Sequence, residues 1–285
     1  MSTDSSFDLH LPPEMAKIAE QSALYKATKK IPMSFFLAII AGVFISMGFV
    51  FYITITSSPD PVSAPVKFLG GLCFTLGLIL VVVCGADLFT STVLTIIAKA
   101  SGLISWSTLA TNWTVVYLGN LVGALFFAVL IWCSGQIMSG DGQWGLNVLL
   151  TADHKMHHTF FEAVCLGTLA NMMVCLAVWL SYAGHTIVDK IVAMLLPISM
   201  FVCSGFEHSI ANMFLIPLAM MIRNFAPDTF WDKVHMTPDD FPALNLGQFI
   251  SDNLIPVTIG NIIGGGVLVG ITYWAIFLRN NKHAH

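Results

Sequence analysis

A histidine beside a glutamate, set in the middle of a long apolar run, is the pair in this chain best suited to handle a polar solute. Ser204-Gly205-Phe206-Glu207-His208 interrupts an apolar stretch over 191–222, and Cys84-Gly85-Ala86-Asp87, followed by Thr90-Ser91-Thr92, interrupts another over 68–97. An imidazole carries charge or stays neutral with a modest change of surroundings. Charged, His208 attracts an anion; neutral, it donates one hydrogen bond. The plainer alternative is a ring satisfied by a nearby carbonyl, which suits a soluble core better than a membrane segment, where ionisable groups are costly and usually functional. Glu207 repels anions, so it is expected to turn away from any pore and pair. Lys155 is the nearest basic candidate, and Asn171 is expected to complete the network with its amide. Asp87 is expected to play the analogous structural part in the first interruption by holding free backbone N–H groups.

The elements that must position these residues are membrane spans. Of the 285 residues, 56% are hydrophobic and 10% charged, where a soluble domain has about 25% charged. Six spans are expected, at 34–56, 68–97, 110–134, 160–182, 191–222 and 254–278. A helical crossing needs about 20 apolar residues, so the second and fifth are long enough to be two half-helices each. Irregular backbone at membrane depth persists only where it is packed in protein or lines a watery cavity. With the N-terminus inside, Lys17, Lys26, Lys29, Lys30, Lys99, Lys190, Arg279 and Lys282 fall on the inner side, and Lys67, Lys155, Arg223 and Lys233 on the outer side. That excess places both termini in the cytoplasm. The net charge of −4 comes with no basic patch to suggest nucleic acid.

Three pairs of small or polar residues recur in order. Gly42 and Ser46 match Gly167 and Asn171, Gly85-x-Asp87 matches Gly205-x-Glu207, and Gly119-Asn120-x-x-Gly123 matches Gly260-Asn261-x-x-Gly264. The expected fold is therefore all-α and integral to the membrane: six transmembrane helices as two inverted three-span repeats, with spans 2 and 5 broken. Such repeats put a site near the midplane, where half-helix ends point at the solute. The hydroxyls of Thr90-Ser91-Thr92 and Ser209 then serve as caps or as solute contacts. Bulky residues flank the breaks and make either narrow gates or ordinary packing.

Residues 1–33 read as a tail bearing an amphipathic helix, on the spacing of Leu11, Met15, Ile18, Ala19 and Tyr25; residues 34–278 read as the membrane domain and 279–285 as a second tail. The helix anchors the chain at the interface or acts as a gate or docking element. All six cysteines are expected to be small buried side chains. Asp153-His154-Lys155-Met156-His157-His158 reads as a solvated loop rather than a metal site.

With the breaks and the histidine in view, the chain resembles the formate–nitrite transporter family. The likeness runs through Phe7-Asp8-Leu9, Val43-Phe44-Ile45-Ser46, Cys84-Gly85-Ala86-Asp87-Leu88-Phe89-Thr90-Ser91-Thr92, Asn120-Leu121-Val122-Gly123-Ala124, Ser204-Gly205-Phe206-Glu207-His208-Ser209-Ile210-Ala211-Asn212-Met213 and Asn253-Leu254-Ile255-Pro256-Val257-Thr258-Ile259-Gly260-Asn261. It is weakest in the tails and over 57–66. The resemblance implies an aquaporin-like fold in a homopentamer, one pore per protomer, in the inner membrane of a bacterium. It implies bidirectional passage of formate, with Thr90 and His208 at the pore centre and Lys155, Asn171 and Glu207 tuning the histidine. It further implies a cytoplasmic constriction of Leu78, Leu88, Phe89 and Val174 and a periplasmic one of Phe74 and Phe201. The N-terminal helix resembles an element that gates the pore and meets a formate-producing glycyl-radical enzyme. No metal, cofactor or enzymatic activity is implied. A proton passed from His208 to formate would ease the crossing of a dry gate. Nitrite, hydrosulfide or a small neutral solute are the alternative cargoes. An intramembrane serine protease is disfavoured because Cys203-Ser204-Gly205-Phe206 lacks the leading glycine of such a site.

Overall fold

The computed structural model describes residues 9–58 and 62–279. Phe7, Asp8, Lys282 and all of the C-terminal tail but Arg279 lie outside the described residues. Helices dominate the described chain, in the order α1 (Pro12–Thr28), α2 (Ile31–Thr56), α3 (Ala64–Cys84), α4 (Phe89–Ala100), α5 (Trp106–Cys133), α6 (Gln143–Met156), α7 (Phe160–Ser181), α8 (Ile187–Cys203), α9 (Ser209–Phe225), α10 (Asp228–Val234) and α11 (Leu246–Phe277). The N-termini carry local start signals. Pro stands in the first turn of α1, α2 and α3, where no intrahelical N–H is needed. Thr159 with Glu162, and Thr186 with Asp189, form capping boxes at α7 and α8.

Five helices, α2, α3, α5, α7 and α11, are long and apolar enough to cross a bilayer. Helices α8 and α9, 17 residues each, flank the second break. Both breaks are present, and they are built alike. Gly85 and Gly205 sit at φ of 79° and 72°, a left-handed conformation that costs an L side chain strain. The next N–H reaches back to end the helix, Ala86 to Val81 O at 2.9 Å and Phe206 to Phe201 O at 3.0 Å. Three extended residues follow before α4 or α9 begins.

Packing repeats between the two halves. Helix α2 packs on α5 and α3, α7 packs on α11 and α8, and the halves meet where α3 lies on α8 and α9 on α5. A Cβ on Gly119 or Gly123 would collide with carbonyl oxygens of α2, and one on Gly260 or Gly264 with carbonyl oxygens of α7. Backbones therefore touch at these seams, a small-residue route to close association inside a bilayer. Within α11, residues Phe249–Leu254 and Ile262–Ile271 widen into π-helix.

Two sequence expectations change. Helix α1 buries Met15, Ala16, Ala19, Ala23 and Ala27, while Leu11 and Tyr25 face outward. Met15 and Ala19 of the expected pattern are packed, but Ala16, Ala23 and Ala27 complete the face in place of Leu11 and Tyr25, and alanine lets α1 approach α4 closely. Of the cysteines, only Cys175 is buried; Cys84, Cys133 and Cys165 are exposed and all six are free.

Candidate functional site

The two breaks converge on a buried pair of side chains. His208 ends the second break and is the N-cap of α9, where Nδ1 accepts the Ala211 N–H at 3.1 Å. A nitrogen that accepts carries no hydrogen, so the neutral ring holds its proton on Nε2. Nε2 then donates to Thr90 Oγ1, 2.8 Å away in the first turn of α4. Both residues are shut off from the surface. The Thr90 hydroxyl hydrogen has no acceptor among the described residues, so it is free to point at a passing oxygen. Cys175 Sγ, 3.3 Å from the Thr90 carbonyl, fixes the backbone there. An imidazolium would need a hydrogen on Nδ1 and would lose the cap on Ala211. The site is therefore polar but neutral, with donors in place of charge.

Each break hangs on an ion pair and an asparagine. Lys155 Nζ lies 2.8 Å from Glu207 Oε1, and Lys29 Nζ lies 2.8 Å from both oxygens of Asp87. Asn120 accepts the Phe89 N–H and donates to the carbonyls of Ala38 and Asp87; Asn261 accepts the Ser209 N–H and donates to the carbonyls of Gly167 and Glu207. Each amide thus takes a first-turn N–H that has no helical partner. The matched contacts set Asp87 beside Glu207 in role, and Leu88 beside His208.

A cavity of about 500 Å³ opens from the side of α6 and ends at Phe74, Phe201 and His208. Phe74 and Phe201 meet edge to face with centroids 5.6 Å apart, and Phe201 stacks on the His208 ring at 5.9 Å and 25°. Leu78, Leu88, Phe89 and Val174 are all buried and do not line this cavity. Phe89 rests its ring on Tyr117 of α5, 4.9 Å away. Helix α1 lies against α4, and its Lys26 Nζ reaches Ser91 Oγ at 3.5 Å.

Residues 13–275 match the family model described as formate/nitrite transporter. The chain belongs to the formate/nitrite transporter family. It is 63% identical to the formate channel FocA of Escherichia coli strain K12 over 99% of this chain and 100% of that one. It is 30% identical to the formate channel BtFdhC of Bacillus thuringiensis over 96% and 98% of the two. A solved structure titled pentameric formate channel with formate bound is 49% identical and superposes with a TM-score of 0.83 over 87% of this chain and 98% of that one. These are channels and transporters, and the family is not one of enzymes.

Within this member of the family the sequence expectations for the site fall unevenly. Thr90 meets His208, and Lys155 meets Glu207. Asn171 stands elsewhere: its amide donates to the Asn261 carbonyl at 2.6 Å. The amides on Glu207 belong to Asn212 and Asn253, at 2.7 and 3.4 Å from Oε2. Asn171 points at α11 because that face of α7 packs there, and Asn212 follows Glu207 by a little over one turn, close enough to fold back on it. Asp87 takes Lys29 and not free N–H groups, because Asn120 already holds the N–H at Phe89. The histidine cluster straddles a helix end: Asp153 to Met156 form the last turn of α6, and His157 and His158 lie in the link to α7. Among the described residues no group of side chains could hold a metal ion.

Proposed function

We propose that this chain is a bidirectional channel for formate and related small monovalent anions. The observation that carries the reading is the neutral Thr90–His208 pair, buried at the end of a cavity lined by Lys67, His154 and Lys155. An anion is attracted into the cavity by the Lys67 ammonium. At the centre it meets hydrogen-bond donors without a fixed positive charge that would trap it, and conduction needs binding weak enough to release. The relatives named as formate channels, and the neighbour solved with formate bound, support the choice of cargo.

In this reading Phe74 and Phe201 form the periplasmic constriction, and Leu78, Leu88, Phe89 and Val174 the cytoplasmic one. Glu207, Lys155 and, through Asn261, Asn171 hold the second break so that His208 keeps its tautomer. Residues 34–278 are the channel domain, arranged as two inverted repeats, and the tails face the cytoplasm of a bacterium whose inner membrane holds a homopentamer. The outward Leu11 and Tyr25 of α1 offer a surface for a formate-producing glycyl-radical enzyme.

Liposome flux of formate, nitrite and glycerol, measured side by side, tests the cargo. Formate is expected to pass and glycerol to be excluded; equal glycerol flux overturns the reading. Thr90→Val removes one hydrogen bond worth about 1 kcal/mol and is expected to slow formate flux roughly fivefold with assembly intact. His208→Phe, which removes Nε2, is expected to slow it further.

A further inference from the structure

A carboxylate has a reference pKa near 4, so at neutral pH it reaches the vestibule ionised and crosses two apolar rings at high cost. Protonation removes the cost, yet His208 is badly placed to supply the proton. Its Nδ1 holds the Ala211 N–H and its Nε2 faces Thr90. The other titratable groups lining the cavity are Tyr52, Lys67, His154, Lys155, Cys203 and Glu207. Lys155 and Glu207 hold each other, and Tyr52, Lys67 and Cys203 have reference values well above neutrality. His154, in the last turn of α6, is exposed to the cavity, and its ring nitrogens make no hydrogen bond or ion pair among the described residues.

We propose that His154 is a second solute-handling residue of this channel, docking a small monocarboxylate at the vestibule and giving it a proton before it reaches Phe74 and Phe201. The inference rests on the formate-channel reading. In the step, an imidazolium N–H bond breaks and an O–H bond of the neutral acid forms. The imidazole is left neutral and regains its proton from vestibule water, so one proton enters with each anion.

The surroundings favour that exchange. His158 packs edge to face on His154 with centroids 5.4 Å apart, and its own Nε2 lies 3.6 Å from Glu207 Oε1. Asp153 and His157 lie on the same helix end, pointing to each other at 3.5 Å. Burial, then the charges of His158 and Lys155, hold the His154 pKa below its ordinary 6.5, against the opposing pull of Glu207. A more acidic imidazolium gives up its proton to a carboxylate more readily.

The full-length channel in liposomes carrying an internal pH dye tests the step, with outside pH moved from 7.5 to 5.5 and protein-free vesicles subtracted. Wild type is expected to raise formate uptake by at least about tenfold, the rise of an unshifted imidazole, with a matching proton influx. His154→Gln is expected to flatten the rise, with the largest loss of uptake at pH 5.5 and a smaller one at pH 7.5. An unchanged profile, a uniform loss at every pH, or flattening by His158→Gln alone overturns the proposal. Independently of any variant, diethyl pyrocarbonate modification of His154 in the wild type, read by mass spectrometry, is expected to slow in formate; an unchanged rate also overturns it. Absence of formate flux in the wild type is a different result, because it sinks the channel reading itself.

Discussion

Removing the Lys155 ammonium leaves the Glu207 carboxylate, 1% exposed, without its cation. Breaking one side of a buried pair costs about 3–5 kcal/mol, whereas replacing both partners by apolar groups is often near neutral. Lys155→Met is therefore expected to lower thermal stability in detergent sharply, and the Lys155→Met, Glu207→Leu double variant to recover much of the loss. A double variant as unstable as the single would show that the Asn212 and Asn253 amides, and not the charge, set the cost. Asn261→Ala orphans the Ser209 N–H and the Glu207 carbonyl, each worth about 1–3 kcal/mol when buried unsatisfied, and is expected to prevent assembly, read by size exclusion. The sequence makes the opposite charges of Lys155 and Glu207 readable, because a carboxylate in an apolar run needs a cation. It does not reveal which amide completes the network. That depends on how each span is rotated about its axis, and Asn171 is rotated toward α11.

At the scale of elements, α1 docks on α4 with a lysine that fits poorly. Lys26 lies among buried groups, and the nearby carboxylate of Asp87 is already held by Lys29. Desolvation lowers its pKa from 10.5, opposed by the Asp87 charge. The docked helix thus binds fewer protons than the released one between the lowered value and 10.5, so docking strengthens as pH rises through that window. Below the window Lys26 is charged in both states, and docking carries the full penalty. Proteolysis of α1 is expected to slow as pH rises, and Lys26→Met is expected to slow it at neutral pH while flattening the pH dependence. A pH response unchanged by that substitution would assign it to other groups. The breaks themselves were readable, since glycine followed by a carboxylate within an apolar run has few other uses. The packed face of α1 was not, because bulky apolar residues normally mark a buried face, and here alanine is buried to bring two backbones close.

For the molecule as a whole, the outward faces of α5 and α8 are apolar, with Leu118, Phe126, Val129, Val188, Val192 and Leu196 all well exposed in a single copy. Lipid or neighbouring copies must cover them. Native mass spectrometry from a mild detergent is expected to give an assembly of five 31.0 kDa chains; a stable monomer would refute the pentamer. Membrane class and the matched halves were legible from apolar run length and spaced glycines, while the seams between halves arise only once the helices meet. One contact binds the scales together. Because the Phe201 and His208 rings lie 5.9 Å apart and 25° from parallel, a change that moves one ring alters what the other packs on. A substitution made to probe the phenyl is therefore also a probe of the imidazole.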